Sequence, residues 1–144
     1  MSGFAAIGLS RPKSRDNVGG VMRAAQVYSA ALVILENDRS KVTDAMDTMK
    51  AYKHIPVIRI EDMFNACPHD CIPIGVDLVE GAIELPKFKH PKRALYVFGP
   101  EDGTLGKKHL DKCVYRVMIP TKSCMNLAAT VNVVLYDRMC KETD

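Results

Sequence analysis

The sequence of 144 residues contains no tryptophan, and aromatic residues make up only 6% of it. A protein that holds single-stranded nucleic acid chiefly by stacking bases on aromatic rings is therefore not expected. No apolar run approaches the ~20 residues that cross a bilayer. The opening MSGFAAIGLSRPKS is too short in its apolar part, and wrongly flanked, for a secretory signal. These absences lead us to expect a cytoplasmic protein. A disulfide framework is also missing, because the five cysteines (Cys67, Cys71, Cys113, Cys124, Cys140) are odd in number and scattered, as reduced thiols are. Cys67, His69 and Cys71 lie close together, but a structural zinc site takes four ligands and no second pair of suitable spacing follows, so no metal is assigned. Neither GxGxxG nor GxxxxGK[ST] occurs, which excludes the dinucleotide fingerprint and the phosphate loop. His54, His69, His90 and His109 have no recognisable partner for nucleophilic catalysis, and Cys124 has no neighbouring histidine in sequence.

What is present is an ordinary globular composition, 47% apolar and 26% charged, at the length of one domain. The net charge of +3 is too small to argue for a nucleic-acid partner alone. Its distribution says more. From Glu61 to Glu84 there is no Lys or Arg, whereas basic residues gather at Arg11, Lys13, Arg15 and Arg23 and again at Lys87, Lys89, Lys92 and Arg93, continuing through Lys107, Lys108, Lys112, Arg116 and Lys122. A two-part basic surface of this kind suits a polyanionic ligand.

Short apolar runs alternate with helical patterns. Phe4 to Leu9, Ala31 to Leu35, Ile55 to Ile60, Cys71 to Leu78, Arg93 to Gly99 and Val114 to Pro120 read as strands. Asp16 or Asn17 is placed to cap a helix carrying Val18, Val21, Met22, Ala25 and Val27, and Ser40 to cap a second helix from Lys41 to about Lys50. A weak helix is expected near Glu61 to Ala66, a polar basic connection from Pro86 to Pro91, and a terminal helix from Asn126 to about Cys140. Apolar strands between helices indicate an α/β domain with a mostly parallel sheet buried on both faces. No repeat or linker divides it, so a single domain, 1–144, is expected.

Open sheets of this class bind ligands beyond the carboxyl ends of their strands. Three turns there stand out. In DNVGGVMRAA, Asn17, Gly19 and Arg23 fall at a loop-to-helix junction where free N–H groups and the helix dipole favour an anion. In FGPEDGTLG, Gly99, Gly103 and Gly106 permit close approach of backbone, while Glu101 and Asp102 would suit a ligand carrying hydroxyls or positive charge. In IPTKSCMNLAA, a strand end leads through Pro120 to the last helix, with Ser123 or Asn126 as its cap.

In this order and spacing, N-V-G-G-V-M-R, F-G-P-E-D-G-T-L-G and I-P-T-K-S-C-M-N-L-A resemble the SPOUT superfamily, and within it the SpoU (TrmH-like) RNA ribose 2′-O-methyltransferases. The resemblance runs from Ala6 to about Asp137. It implies a bare catalytic domain without an appended RNA-binding module, a C-terminal deep trefoil knot, S-adenosylmethionine as cofactor, and a homodimer whose active site is completed across the interface. Residue by residue, it implies that Arg23, Asn17, Glu101 and Asn126 are catalytic. It further implies that Phe98, Gly99, Glu101, Gly103, Ile119, Pro120, Cys124, Met125, Asn126, Leu127 and Ala128 hold the cofactor. The implied substrate is structured RNA, tRNA before rRNA, and Arg11, Lys13, Arg15, Arg23, Lys87, Lys89, Lys92 and Arg93 are expected to meet it. Neither a metal nor a membrane is called for.

The third motif departs from the family pattern: Cys124 and Ala128 stand where serines are usual. Two hydroxyls are therefore missing, which motivates an alternative reading, a catalytically weak or inactive protein that binds RNA or cofactor on the same fold. Methylation of a base atom is a third reading, against which the Asn-x-Gly-x-x-x-Arg context of Arg23 speaks for ribose.

Overall fold

A computed structural model of the chain describes residues 3–42 and 55–141. Its strands are β1 (Phe4–Ser10), β2 (Leu32–Glu36), β3 (Val57–Ile60), β4 (Ile72–Val76), β5 (Ile83–Glu84), β6 (Arg93–Phe98) and β7 (Tyr115–Met118), and its helices are α1 (Arg15–Val27), α2 (Lys107–Asp111) and α3 (Leu127–Lys141). Among the described residues the strands form one sheet in the order β3-β2-β1-β6-β4-β7-β5, with every pair parallel.

The uninterrupted apolar runs of β1, β2 and β6 are explained by burial on both faces. Successive side chains alternate between two cores. Ile7, Leu9, Val33 and Leu35 pack with Val18, Val21, Ala25, Val131 and Leu135 of α1 and α3, while Ala6, Ile34, Leu95 and Val97 pack with Met63, Leu105 and Leu110 on the other face. Each fully buried aliphatic or aromatic side chain contributes about 1.5–3 kcal/mol.

The helix after β1 starts earlier than expected, because its cap is Ser14 rather than Asp16 or Asn17: Ser14 Oγ accepts from the Asn17 N–H at 3.2 Å. That leaves the Asn17 side chain free for another task. Strand β3 begins at Val57, later than Ile55, and the weak helix shrinks to a 3₁₀ turn at Met63–Asn65 capped by the Asp62 carboxylate. The expected helix from Lys41 to Lys50 falls largely on residues 43–54, outside those described; within them, Ser40 Oγ accepts from the Val42 N–H at 3.3 Å. Two elements were not foreseen, β5 and α2, with two and five residues, too short for a periodic pattern to register. The Pro86 to Pro91 connection is more than polar linker: it opens with a 3₁₀ turn at Leu85–Lys87 and sinks Phe88 into the core at 4% exposure. No described helix is long and apolar enough to cross a membrane.

Two strands enter between earlier ones. β6 lies between β1 and β4, and β7 between β4 and β5. The register sets Leu9 beside Phe98, Phe98 beside Val76 and Val76 beside Val117, so β1, β6, β4 and β7 end in nearly one row. The loops leaving β6, β4 and β7 therefore face one another.

Candidate active site

Those three loops enclose a cavity of about 410 Å³. Its lining comes from the end of β4 (Val76, Asp77, Leu78), the turn after β6 (Phe98 to Glu101, Gly103 to Leu105), the loop before α3 (Ile119, Thr121, Cys124 to Leu127), and from Asn17 and Thr130. The turn after β6 depends on Gly99, since a Cβ there would stand 2.7 Å from the Leu105 nitrogen and 2.9 Å from its Cα. Backbone cannot retreat from such an approach as a flexible side chain can.

Hydrogen bonds lock the loops. Asp77 Oδ2 accepts from the Leu105 N–H at 3.2 Å and its Oδ1 from the Leu78 N–H at 2.8 Å, which joins the β4 loop to the β6 loop. Asn126 is the cap of α3: its Oδ1 accepts from the Ala129 N–H at 2.8 Å. Asn17 Oδ1 accepts from the Ala128 N–H at 3.3 Å, so the start of α1 also caps the start of α3. The two helices come close here, because a Cβ on Gly20 would lie 2.7 Å from Ala128 Cβ. Glu101 caps α1 from outside: Oε1 accepts from the Lys13 N–H at 2.9 Å and Oε2 from the Ser14 N–H at 2.8 Å. A carboxylate at a helix N-terminus is also favoured by the dipole.

The lining holds two carboxylates, Asp77 and Glu101, and no Lys or Arg. This polarity suits a neutral or cationic ligand with hydroxyls and disfavours a polyphosphate. Of the residues expected to hold a cofactor, Phe98, Gly99, Glu101, Gly103, Ile119, Cys124, Met125, Asn126 and Leu127 line the cavity; Pro120 and Ala128 do not. Ala128 is committed to Asn17 and Gly20 instead. Sequence reasoning missed Val76, Asp77 and Leu78, because Asp77 and Leu78 were absorbed into the β4 run; the signal was there in a strand end, but only the sheet order shows that it neighbours β6.

Arg23 stands apart. It is exposed on α1, is not in the lining, and makes no ion pair or hydrogen bond among the described residues. Gly19, Arg23 and Val27 recur at helical spacing along the same side, where Val27 is 65% exposed. The basic residues also divide. Arg11, Lys13 and Arg15 follow β1 at the carboxyl edge with the cavity. Lys92 and Arg93 lead into and open β6 at the opposite edge, one six-residue strand or ~20 Å away, with Lys87 and Lys89 on the connection from β5 that reaches it. The two groups of the expected two-part basic surface thus lie toward different edges of the sheet within one protomer. Several of these charges are engaged: Arg93 with Asp70 at 2.7 Å, Lys87 with Glu84 at 3.4 Å, and Arg15 Nε with the Ser40 carbonyl at 3.2 Å.

The model of the SpoU rRNA methylase family matches residues 5–136. The chain belongs to the SpoU family. Its SpoU fold is shared with solved structures at low identity. The SpoU methyltransferase AviRb from Streptomyces viridochromogenes aligns with a TM-score of 0.82 at 20% identity, over 98% of this chain and 60% of that one. An rRNA methyltransferase from Sinorhizobium meliloti aligns at 0.85 and 18%, over 99% and 58%. A protein solved in a study of 2-OH methylation of C/U34 on tRNA aligns at 0.82 and 19%, over 96% of both chains. The chain therefore spans only about 60% of the length of AviRb and of the Sinorhizobium protein. No curated protein matches it.

Proposed function

We propose that this SpoU domain transfers a methyl group from S-adenosylmethionine to the 2′-hydroxyl of a ribose in structured RNA, tRNA in preference to rRNA. The observation that carries the reading is the cavity at the ends of β6, β4 and β7, acidic rather than basic, within the 300–1,000 Å³ range of small-molecule sites. AviRb and the Sinorhizobium enzyme have each been solved with AdoMet, which supports the same cofactor here. The residues present fit it. Backbone groups of residues 98–103 and 119–127 would take its polar edges, and Asp77 and Glu101 would set a negative field around a sulfonium. When bound, the cofactor supplies the electrophilic methyl group. The tRNA preference rests on the tRNA 2-OH protein, which matches end to end.

Positioning is then this chain's main contribution, since an oriented in-line attack is worth at most about 7–11 kcal/mol. Arg23 orients the ribose and an adjacent phosphate. Its guanidinium, with a pKa above ~12, does not serve as base, and the proton leaves to a phosphate oxygen or water. Because Arg23 lies off its own cavity, we place it at the cavity of a second copy. The apolar side chains for such a homodimer are at hand on α1 and α3: Val27, Val133, Tyr136 and Met139 are 65%, 36%, 55% and 51% exposed. The entry of β7 between β4 and β5 supports a C-terminal trefoil knot, against the usual rule that chains stay unknotted.

The alternative, a binding protein with little turnover, draws on the missing hydroxyls. Only one of them bears on the cavity, because Cys124 lines it and Ala128 does not. A single lost hydrogen bond costs about 0.5–1.5 kcal/mol, too little to abolish turnover. Incubation with methyl-labelled S-adenosylmethionine and total RNA, followed by nucleoside analysis, tests the proposal. A 2′-O-methyl nucleoside is expected, with Arg23→Ala at least a hundredfold slower and its cofactor affinity, by calorimetry, unchanged. Tight cofactor binding without any product favours the alternative; a methylated base refutes the ribose assignment.

A further inference from the structure

The loops after β2, β1 and β6 leave three neighbouring strands, and one side chain ties all of them together. Arg39, in the loop after β2, donates through Nη1 to Asp102 Oδ2 at 3.0 Å and through Nη2 to Asp102 Oδ1 at 2.8 Å. The same guanidinium donates to the Arg11 carbonyl, from Nε at 3.1 Å and from Nη2 at 2.7 Å, and the Arg39 N–H donates to the Pro12 carbonyl at 2.9 Å. Lys13 Nζ adds a longer contact to Asp102 at 3.9 Å. Arg11 lies in the left-handed region at φ 48°, a conformation uncommon for a residue other than glycine. Asn37, two residues before Arg39, also lies in the left-handed region, at φ 49°, which asparagine adopts readily.

We infer that Arg39 is a positioning residue for methyl transfer: by bridging Asp102 to the Arg11 and Pro12 carbonyls, it sets the loop carrying α1 against the turn that walls the cavity. The inference rests on the reading that the cavity holds the cofactor and that α1 carries Arg23. Asp102 is the immediate neighbour of Glu101, whose carboxylate takes the Lys13 and Ser14 N–H groups, so the Arg39 bridge and the Glu101 cap act on the same four-residue loop from two sides. Loop 11–14 feeds directly into α1. If it shifts, Asn17 at the cavity and Arg23 on the next turns shift with it. An isolated exposed ion pair contributes little, but a planar fork on a carboxylate combined with two bonds to one carbonyl has a direction that a lysine does not reproduce. Arg39 does not line the cavity.

The test uses Arg39→Met and Arg39→Lys in the full chain, read three ways. Exchange of the Arg11, Lys13 and Ser14 amide hydrogens of the free protein is expected to speed up at least tenfold in Arg39→Met, with exchange in β1 and β6 unchanged. S-adenosylhomocysteine affinity by calorimetry is expected to stay within threefold. In RNA methylation, kcat is expected to fall at least tenfold for Arg39→Met and part-way for Arg39→Lys. Unchanged exchange at 11–14, or kcat within threefold of the parent in both variants, overturns the inference. Should Arg39→Met fail to fold, the exchange and kcat of Arg39→Lys decide it by the same criteria. If the parent protein methylates no RNA, the proposed function fails, and the exchange measurement alone decides whether Arg39 holds the loop.

Discussion

Room for one carbon atom decides Gly99. Its Cβ position is already filled by the backbone at Leu105, so Gly99→Ala must push the turn after β6 into or away from the cavity. At least a tenfold loss of S-adenosylhomocysteine affinity is expected in a calorimetric titration, whereas Gly103→Ala, whose Cβ would meet only Pro100 at an ordinary 3.6 Å, should bind normally. The cysteines separate by environment in the same way. Burial pushes the Cys113 thiol up to about 12 and raises Cys67 and Cys71 as well, so the nucleophilic thiolate is suppressed at all three. Cys124 is exposed and faces the cavity. At pH 8 an aromatic disulfide reagent should modify Cys124 quickly and Cys113 only after unfolding, and S-adenosylhomocysteine should slow the Cys124 reaction.

At the scale of the elements, α3 is attached through a titratable group. Arg138 Nη1 donates to the Tyr96 hydroxyl at 2.9 Å, that hydroxyl lies 2.7 Å from His90 Nδ1, and His90 Nε2 lies 2.7 Å from Asp137 Oδ2. The chain of donors is consistent when His90 is neutral with its proton on Nε2. Burial lowers the His90 pKa, and this outweighs the attraction of Asp137. The folded protein therefore binds a proton less readily than the unfolded chain, whose histidine titrates near ~6.5. Stability is full above that pH and declines as pH falls through the window below it. Urea unfolding at pH 7.5 and 5.5 should show this loss, and a His90→Gln variant should lose less between the two. The loss matters to the site, since α3 begins at Asn126 and Leu127 on the cavity.

At the scale of the whole molecule, the proposed function draws on a second copy to complete the site. Tyr136→Glu places a charge on the exposed apolar face of α3, where burial without a partner is costly. Sedimentation should show a dimer for the parent and a monomer for this variant, with cofactor binding retained and RNA methylation lost. RNA binding by the dimer should weaken steeply with salt as the basic loops release counterions.

Parts of this arrangement follow from the chain alone. The strands β1, β2 and β6 announce themselves because a strand buried on both faces must be apolar throughout, and α1 and α3 because their apolar residues recur at helical spacing. The three motifs, and with them Asn17, Glu101 and Asn126, are visible as residue types around turns. Short elements such as α2 are not, since five residues with one buried Leu110 carry no period. Nor is the partnership of Asp77 with the cavity, or of Arg39 with Asp102, because these join residues 28 and 63 positions apart. Sequence determines which stretches are strands and which turns carry chemistry, since those depend on local pattern. Only the tertiary structure decides that β6 and β7 slip between earlier strands, that Glu101 caps α1 and that Arg23 stays out of the lining of its own cavity, because sheet order is set by packing among distant segments and leaves no local trace.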